Sequence, residues 1–373
     1  MANFSVDLEY GLETPERNYT TGTMIIVILI LTLIIITTVS MNLLIIAAFA
    51  TTKNVRKHTN YFYASLAGTD IAIGLIVMPF MATESLLGYW KFGKWPCLFW
   101  LSMDYFTSST SVFNMTAICI DRYMAIRLPM RYRPMRTHKL IVGMIVTAWI
   151  AGFLAEVPAT LLWEPITGES IIDYNDTCDV EWVDNVPYTL TSTFVTIVFP
   201  FAIMLILYSQ IYFIIRKRAK KLGRFRPRKS SSANSNNSSG GSRYLGDYVT
   251  SSGDVSAARA AILPDIGKSS FGSSRNTIKT VRYNRVARDK KAATTLGILL
   301  GFFFFSWIPW QIISIVNASC GDYCTPVVVY DIALWLQYSN SMVNPFLYIL
   351  RDTSFKVAVY RIFFKCFCRC RKK

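Results

Sequence analysis

The chain has 373 residues, of which 52% are hydrophobic and 17% charged, and its formal net charge is +16. The hydrophobic residues are gathered in long runs, which excludes an ordinary soluble globular domain. A strongly positive charge would suit a nucleic-acid-binding protein, but here the basic residues lie in alternate loops between the apolar runs. We therefore exclude nucleic acid as a partner and expect a membrane protein.

Seven of the apolar runs are near or above the ~20 residues that a helix needs to cross a bilayer. The first residues, Met1–Tyr19, are polar and acidic and contain no cleavable signal, so the first run is expected to act as the insertion signal. The sequence therefore predicts an all-α membrane protein, a seven-transmembrane helix bundle with a short amphipathic eighth helix. The predicted spans are Met24–Ala50, Phe62–Leu87, Leu98–Ile126, Leu140–Leu162, Val186–Ile215, Ala292–Val316 and Pro326–Leu350.

Basic residues follow the first, third and fifth spans, whereas the loop Glu164–Asp184 is acidic and holds no Lys or Arg. By the positive-inside rule, this is a multi-pass plasma-membrane protein with an extracellular amino terminus and a cytosolic carboxyl terminus. The acidic loop is either a vestibule that attracts cations or ordinary solvated charge. The predicted segments are a glycosylated extracellular head (1–23), five spans with their loops (24–221), a disordered third cytosolic loop (222–279), two spans (280–350), and an amphipathic helix with a basic, Cys-rich tail (351–373).

Sequons and cysteines divide according to the predicted side of the membrane. Four glycosylation sequons are extracellular, at Asn3, Asn18, Asn175 and Asn317. In the same oxidising compartment, Cys97 and Cys178 are candidates for a disulfide that closes a loop of ~80 residues, and Cys320 with Cys324 for a smaller one. Three cysteines on the cytosolic side lie beside a basic amphipathic segment and far from any histidine: Cys366, Cys368 and Cys370. We therefore favour palmitoylation of these cysteines over a metal site.

The third span contains one carboxylate, Asp104, in an apolar and small-polar helical pattern, and no basic residue lies one helical turn away. A charged side chain in a bilayer costs roughly 2.5–3.5 kcal/mol on insertion scales, so this residue indicates a functional site whose partner is an incoming cation. Asp121, at the other end of the span, is ~25 Å away. The same helix therefore has one end that would bind the cation and another end that would transmit the signal at the opposite membrane face. Aromatic rings beside Asp104 would add cation–π contacts of ~0.5–2 kcal/mol each to an ammonium group. The expected rings are those of Tyr105, Trp307, Trp310 and Tyr338.

A second uncompensated carboxylate lies in the second span. Together with polar residues of the third and seventh spans, it offers oxygen ligands suited to a small cation such as sodium, or a proton site. The alternative is a set of hydrogen bonds between helices, which small polar groups in membranes commonly make. The residues of this cluster are Asp70, Ser111, Asn340, Ser341 and Asn344.

Short motifs occur along the chain in a fixed order, with at least one in each span. They are Asn42, Leu66-Ala67-Gly68-Thr69-Asp70, Trp90-Lys91-Phe92-Gly93, Cys97, Asp121-Arg122-Tyr123, Trp149, Pro200 with Tyr208, Phe303-Phe304-Phe305-Ser306-Trp307-Ile308-Pro309, and Asn344-Pro345-Phe346-Leu347-Tyr348. This set resembles the rhodopsin-like G-protein-coupled receptors over nearly the whole chain, except for the head and the third inner loop. Two departures are minor: Met41 replaces a usual Gly, and Gly68-Thr69 replaces a usual Ala-containing pair.

Within this family the chain resembles the aminergic branch, in which a residue at the position of Asp104 forms the salt bridge to the ligand ammonium. The stretch Cys97–Tyr105 is most similar to histamine receptors, while Ser108 beside Asp104 also resembles muscarinic acetylcholine receptors. Thr196 and Leu334 depart from the closest histamine and muscarinic patterns. The resemblance implies a small biogenic amine as ligand, histamine-like, with acetylcholine or another monoamine as alternatives. The implied ligand-binding residues are Asp104, Tyr105, Ser108, Ser192, Thr193, Thr196, Trp307, Trp310, Gln311 and Tyr338.

The resemblance also implies a heterotrimeric G protein as partner, together with arrestin, receptor kinases and membrane lipid. In related receptors an acidic residue at the position of Asp289 pairs, in the inactive state, with the arginine at the position of Arg122. A guanidinium at the membrane edge needs a carboxylate, and Asp121 and Asp289 compete for Arg122. The alternative is a solvent-screened surface pair worth ~0–1 kcal/mol. The implied switch residues are Asp121, Arg122, Tyr123, Tyr208, Asp289 and Tyr348.

Other classes of protein find little support. The only two histidines, His58 and His138, lie in basic inner loops, and the sequence shows no nucleophile–base pair or metal cluster of an enzyme. It also lacks the internal repeat typical of transporters. An opsin is excluded because Tyr338 stands where the retinal-bearing Lys would be. We therefore predict a receptor without enzymatic activity and without a cofactor, apart from the allosteric sodium ion.

Overall fold

The computed structural model describes residues 20–182, 185–223, 271–320 and 325–370, and most of these residues are helical. The helices are α1 (Thr21–Thr51), α2 (His58–Ala72, continued by Ile73–Val77 and Met78–Leu87), α3 (Lys94–Arg127), α4 (Pro129–Met135), α5 (His138–Thr167), α6 (Val186–Thr193, continued by Phe194–Val198 and Phe199–Gly223), α7 (Phe271–Cys320), α8 (Val327–Arg351) and α9 (Thr353–Cys370). The chain forms two compact units, of which the smaller is Ile215–Lys290. With one exception, the sites described below all belong to the larger unit.

Each predicted span corresponds to one helix, and only Pro326, which precedes α8 as its N-cap, lies just outside. Both ends of the predicted third loop, 222–279, are helical, because α6 extends to Gly223 and α7 begins at Phe271. Residues 224–270 lie outside the described chain, and their disorder stays a prediction. The prediction placed these boundaries where the apolar character ends. Arg and Lys, which are common in these stretches, are good helix formers, so the helices continue beyond the apolar part.

Among the residues that the structure describes, five helices, α1, α2, α5, α6 and α7, are long and apolar enough to cross a membrane, judged by length and composition. Leu29 and Leu33 of α1 are more than half exposed, as side chains facing lipid would be. The helices α3 and α8 are less apolar because much of their surface is covered by protein. Both bury polar residues, including Ser109 and Ser111 in α3 and Asn344 in α8. Polar side chains in a membrane face the interior of a bundle, so α3 and α8 are the helices from which an internal site is built.

A π-helical turn lies just before Pro79 in α2 and just before Pro200 in α6. Proline has no N–H to donate, and its ring clashes with the carbonyl four residues earlier, so a wider turn accommodates it. Pro309 and Pro345 lie within α7 and α8, where the helix continues as an α-helix. A π-helical turn therefore accompanies two of these four prolines.

Close contacts hold α3 against α2 and α5. Gly152 of α5 lies so near Thr110 of α3 that a Cβ atom has no room between them. Trp149 Nε1 donates to Ser65 Oγ at 2.9 Å, and Ser65 Oγ donates to Asn114 Oδ1 at 3.2 Å. These contacts join three helices in the middle of the bundle and so fix the position of both ends of α3.

The helix α9 is amphipathic, as predicted. Phe355, Ala358 and Val359 are buried on one side, while Val357 and Tyr360 are exposed. Apolar residues spaced by three and four positions lie on one face of a helix, and in α9 that face is covered by other helices of the larger unit. The first helix α1 and the preceding helix α8 are its neighbours.

Candidate functional site

Asp104 lies on α3, and both of its carboxylate oxygens accept hydrogen bonds. Tyr338 Oη of α8 donates to Oδ2 at 2.8 Å, and Ser108 Oγ, one helical turn along α3, donates to Oδ1 at 3.3 Å. Within the described ranges no Lys or Arg forms an ion pair with this carboxylate. Neutral donors therefore orient Asp104, and its negative charge can pair with an incoming cation.

A cavity of about 160 Å³ adjoins Asp104 and is lined by residues of α2, α3, α7, α8 and the loop after α5. Four of the predicted ligand-binding residues line it: Asp104, Tyr105, Trp310 and Tyr338. The wall also contains residues that the sequence did not indicate, among them Met81, Glu84, Trp100, Asp179, Tyr330 and Asp331. Aromatic faces and carboxylates are the groups that bind organic cations, so the cavity suits a small ligand that carries an ammonium group.

The other predicted ligand-binding residues are not on the wall of that cavity. Trp307 is 4% exposed, and its ring stacks on Phe303 of α7 and lies beside Phe201 of α6. Gln311, one turn further along α7, is partly buried. Thr196 of α6 is buried and donates to the main-chain carbonyl of Ser192 at 2.9 Å. Ser192 and Thr193 are partly exposed. The structure therefore brings the aromatic residues of α3, α7 and α8 together around Asp104, and the hydroxyl groups of α6 do not line this cavity.

Glu156 of α5 is a second buried carboxylate near the site, and sequence reasoning missed it. Its side chain is 2% exposed, and Ser109 Oγ of α3 donates to Oε1 at 2.5 Å. The side chain of Thr196 also interacts with it, and the negative charge of Asp104 is close enough to act on it. The signal that identified Asp104, a lone carboxylate in an apolar span, was equally present at Glu156.

The predicted disulfide between Cys97 and Cys178 is present, with its Cα atoms 5.7 Å apart. It joins the loop after α5 to the beginning of α3, and we call this end of the bundle the disulfide end. The main-chain N–H of Trp90 donates to the carbonyl of Asp176 in the same loop at 2.7 Å. The Trp90 ring stacks on Trp100, with ring centroids 5.1 Å apart. The loop is therefore fixed beside the cavity, where Asp179 forms part of the wall.

Glu181 organises the rest of this loop. It accepts hydrogen bonds from Tyr174 Oη at 2.6 Å, from Ser170 Oγ at 2.8 Å and from the N–H of Ile171 at 2.9 Å. Burial alone would raise the pKa of Glu181, but these hydrogen bonds outweigh it and hold that pKa below its ordinary value. Burial, together with the bond to Glu181, raises the pKa of Tyr174, which therefore remains a donor.

The residues of the predicted cation cluster are only partly brought together. Asn344 Nδ2 donates to Asp70 Oδ2 at 3.1 Å, and Ser341 also interacts with this carboxylate. Asp70 Oδ1 is buried and has no hydrogen-bond partner among the described residues. Ser111 is hydrogen-bonded to two other groups at 2.9 Å each, and Asn340 is 5% exposed. The part of the chain that the structure describes contains no group of three His, Cys, Asp or Glu that could hold a metal.

At the other end of α3, which we call the Arg122 end, the main partner of Asp121 is Arg136. Arg136 Nε donates to Oδ1 at 2.7 Å and Nη2 donates to Oδ2 at 2.6 Å. Tyr132 Oη of α4 donates to Oδ1 at 3.0 Å, and burial raises the pKa of Tyr132 to about 12. Arg122 Nε is 3.6 Å from Asp121 Oδ2, and its Nη2 makes no hydrogen bond within the described chain.

Asp289, which was predicted as a second partner for Arg122, belongs to the smaller unit. Its carboxylate accepts from Arg218 Nη1 of α6 at 3.2 Å. Each of the two predicted partners therefore has another partner in this structure, and a pair between Arg122 and Asp289 stays a prediction.

Three tyrosines were predicted to take part in the switch. Tyr348 stacks on Tyr63 with ring centroids 4.3 Å apart. Tyr208 lies against Gly297 of α7, at a point where a Cβ atom would overlap its hydroxyl group. The ring of Tyr123 lies under the guanidinium of the last residue of α3. The three side chains thus have separate surroundings, and their common role stays a prediction.

Some predicted modification sites lie outside the described side chains, namely Asn3, Asn18, Cys320, Cys324, Cys366, Cys368 and Cys370. Of the remaining sequons, Asn175 is exposed in the loop after α5, where its Nδ2 donates to Asp173 Oδ1 at 2.9 Å. Asn317 lies near the end of α7, and its Oδ1 accepts from Thr325 Oγ1 at 2.9 Å. Glycosylation at both positions stays a prediction.

Comparison with known proteins identifies the family. Residues 41–348 match the family described as 7 transmembrane receptor (rhodopsin family). Three similar proteins are each named 5-hydroxytryptamine receptor 1B. The one from Equus caballus is 32% identical over 336 residues, covering 87% of this chain and 83% of its own. The one from Didelphis virginiana is 31% identical over 323 residues, covering 86% and 81%, and the one from Homo sapiens is 30% identical over 336 residues, covering 87% and 83%.

The chain therefore belongs to the rhodopsin family of seven-transmembrane receptors, which are G-protein-coupled receptors. Membership confirms the predicted all-α seven-helix membrane bundle and the prediction that the chain is a receptor and not an enzyme. It also makes the chain a multi-pass protein of the plasma membrane.

Proposed function

We propose that this receptor binds a small protonated amine at Asp104 and passes the signal to a heterotrimeric G protein. The observation that carries the proposal is the carboxylate of Asp104, oriented by Tyr338 and Ser108, beside an aromatic and acidic cavity. An ammonium group in that cavity would pair with Asp104 and face the rings of Tyr105 and Trp310. A purely structural Asp inside a membrane protein would be expected to have a basic partner.

The first ligand to test is 5-hydroxytryptamine, because the three similar receptors carry its name and align over most of their length. Histamine, which the sequence favoured, and acetylcholine have no support from those similarities. Leu334 lines the cavity at the position where a muscarinic receptor is expected to have a cage tyrosine, which further weakens the case for acetylcholine. The ligand class we propose is therefore a monoamine.

We also propose that the disulfide end faces the outside of the cell. A disulfide needs an oxidising compartment, and the bond between Cys97 and Cys178 supports this orientation. The cavity lies at the same end, so an external amine would reach Asp104 directly. The Arg122 end would then meet the G protein, and arrestin, receptor kinases and membrane lipid are the further partners we expect there.

A small cation such as sodium is proposed beside Asp70. Its support is the buried Oδ1, for which the described chain supplies no donor, together with the neighbouring side chains of Ser341 and Asn344. A cation would satisfy this oxygen, and Ser and Asn oxygens are suitable additional ligands. Ser111 would have to exchange one of its present hydrogen bonds to join them.

The proposed function is tested by a signalling screen in transfected cells. The ligands are 5-hydroxytryptamine, histamine, acetylcholine, catecholamines, tyramine and octopamine. For the active amine, Asp104→Asn should raise the half-maximal concentration by over a hundredfold, because one partner of a buried charge pair is removed at a cost of roughly 3–5 kcal/mol. Glu169→Gln is the matched control, since it removes an exposed acidic side chain from the loop after α5. Equal potency of the two variants would reject Asp104 as the anchor.

A further inference from the structure

Four of the residues that line the cavity beside Asp104 are carboxylates, and the proposed function uses only one of them. The other three are Glu84 of α2, Asp179 of the loop after α5 and Asp331 of α8. Asp179 is exposed, and Glu84 and Asp331 are partly exposed. None of the described residues on this wall is Lys, Arg or His. A cavity lined by charge of one sign concentrates ions of the opposite sign, so the wall favours more positive charge than one ammonium group brings.

Asp331 lies about two helical turns from the amine site. Tyr338, which donates to Asp104 Oδ2 at 2.8 Å, lines the cavity from the same face of α8 as Asp331. The rise from Tyr338 to Asp331 is ~10 Å along the helix. The last turn of α8 lies at the Arg122 end, where Asp352 pairs with Lys57 at 3.9 Å. Asp331 therefore lies ~10 Å from the level of Asp104, toward the disulfide end.

Glu84 lies at the same level of the cavity as Asp331. Trp335, one turn from Asp331 along α8, donates from Nε1 to Ser85 Oγ at 3.4 Å. Glu84 is the neighbour of Ser85 on α2 and also lines the cavity. The hydrogen bond between the two helices therefore brings both carboxylates to the disulfide end of the cavity.

Asp179 joins these two carboxylates from the loop after α5. It follows Cys178, whose disulfide partner Cys97 is on α3. The rise from Asp104 to Cys97 along α3 is ~10 Å. Asp179 is therefore also about two helical turns from Asp104, toward the disulfide end. We call the three carboxylates at this end, Glu84, Asp179 and Asp331, the acidic subsite.

Two aromatic rings lie at the same end of the cavity. Trp310 of α7 and Tyr330 of α8 both line it, and their rings meet edge to face with centroids 4.9 Å apart. Tyr330 directly precedes Asp331, so the pair of rings is beside the acidic subsite. The faces of aromatic rings attract cations. Carboxylates with aromatic rings beside them thus occur twice in this cavity, at Asp104 and at the acidic subsite.

We propose that the acidic subsite binds a second positive group of the ligand, so that the receptor also takes amines with a second ammonium or guanidinium group. The proposal rests on the amine site at Asp104. An ammonium nitrogen lies ~2.8 Å from a carboxylate oxygen, so two nitrogens roughly 5–10 Å apart can contact Asp104 and the acidic subsite together. Monoamines remain ligands held at Asp104 alone, and a diamine of suitable length gains a second charge-assisted contact.

The test compares amines of the same shape that differ by one charge. The pairs are 1,5-diaminopentane with hexylamine and 1,7-diaminoheptane with octylamine, in which a methyl group replaces the second ammonium group. Binding to the purified full-length receptor is measured directly by titration calorimetry. The diamine should bind at least about tenfold more tightly in one of the pairs. A ratio near one in both pairs, or binding of none of the four amines, would overturn the proposal.

The variant that tests the subsite combines Glu84→Gln with Asp331→Asn, which removes two charges and keeps the side-chain volumes. The ratio should fall to within about threefold, mainly through weaker binding of the diamine. Glu169→Gln combined with Asp176→Asn is the matched control. It removes two exposed acidic side chains of the loop after α5 that do not line the cavity. The ratio should be unchanged in this control.

A ratio that persists in the subsite variant would overturn the proposal. An equal loss of affinity for both members of each pair would overturn it too, because that is the result of a general attraction of positive charge. If the combined variant does not fold, Glu84→Gln and Asp331→Asn are measured singly, and a ratio unchanged in both would again overturn it.

Asp104→Asn separates the proposal from the proposed function. It should weaken both members of each pair by the same factor. If it weakens neither, the anchor at Asp104 fails, while the effect of the subsite variant on the ratio still tests the acidic subsite by itself.

Discussion

Arg136 holds both carboxylate oxygens of Asp121, with N···O distances of 2.7 and 2.6 Å, while the neighbouring Arg122 is 3.6 Å from the same carboxylate. Two parallel N–H···O bonds between Arg and a carboxylate are among the stronger charge-assisted interactions in proteins. Arg136 is further fixed by its bond to Thr59 Oγ1 at 2.9 Å. The carboxylate that would otherwise hold Arg122 is thus largely occupied by a residue that follows α4.

Replacing Arg136 by Ala should strengthen the pair between Asp121 and Arg122, because Asp121 is fully buried and would retain Arg122 as its nearest cation. With Arg122 held more tightly, we expect agonist-independent signalling to fall by about tenfold, which corresponds to a shift of ~1.4 kcal/mol in a two-state equilibrium. The measurement is basal G-protein activation at matched surface expression. Arg136→Lys, which keeps a charge but not the two parallel bonds, should lie between the parent and the Ala variant. Basal activity that rises in Arg136→Ala would show that Arg136 does not compete with Arg122.

The contact between Gly297 and Tyr208 predicts that replacement by Ala affects stability differently at two glycines of α7. A Cβ atom at Gly297 would overlap the hydroxyl group of Tyr208, whereas a Cβ atom at Gly301, one helical turn further, meets nothing within 4 Å. Gly297→Ala should therefore lower the free energy of unfolding by roughly 1–3 kcal/mol through overpacking. Gly301→Ala should leave it unchanged or raise it by up to ~1 kcal/mol, since Ala favours the helix. Thermal denaturation of the purified receptor compares the two, and equal melting temperatures would contradict the close contact.

The low pKa of Glu181 predicts a pH-dependent contribution to stability from the loop after α5. Because the pKa is lower in the folded state, the stabilising effect is present above the ordinary carboxyl pKa of ~4.3 and is lost as the pH falls through the folded value. Glu181→Gln should therefore lower the melting temperature of the purified receptor at pH 7. The difference from the parent should shrink as the pH is lowered below ~4.3. A difference that is constant from pH 7 to pH 3.5 would show that ionisation of Glu181 does not stabilise the loop.

How far the sequence could predict the site is shown by its carboxylates. Asp104 was found because a lone Asp in a membrane span is costly, and the same reasoning applied to Glu156 would have found it too. The residues Glu84, Asp179 and Asp331 were not found, because they lie near helix ends or in a loop, where a charged side chain is ordinary. Their position on one cavity wall depends on how the helices pack, which periodicity alone does not reveal.

The interactions at the Arg122 end show a second limit. Arg136 was recognised only as one of several basic loop residues, because nothing in a run of Arg side chains tells which one will face Asp121. The short helix α4, Pro129–Met135, turns the chain so that Arg136 reaches Asp121 from 15 positions away. The long helices were predicted well, since their apolar runs have an unambiguous length. Contacts made through short, polar connections could not be predicted in the same way.

The central claim, that Asp104 recognises the positive charge of an amine, is tested most directly by a pair of ligands that differ only in charge. A trimethylammonium derivative of the active amine is compared with its uncharged tert-butyl analogue, which has the same shape, in direct binding to the purified parent and to Asp104→Asn. The account predicts that the charged ligand binds the parent over a hundredfold more tightly than the neutral one, and that this ratio falls to within about threefold in Asp104→Asn. A ratio that is the same in the parent and in the variant would contradict it.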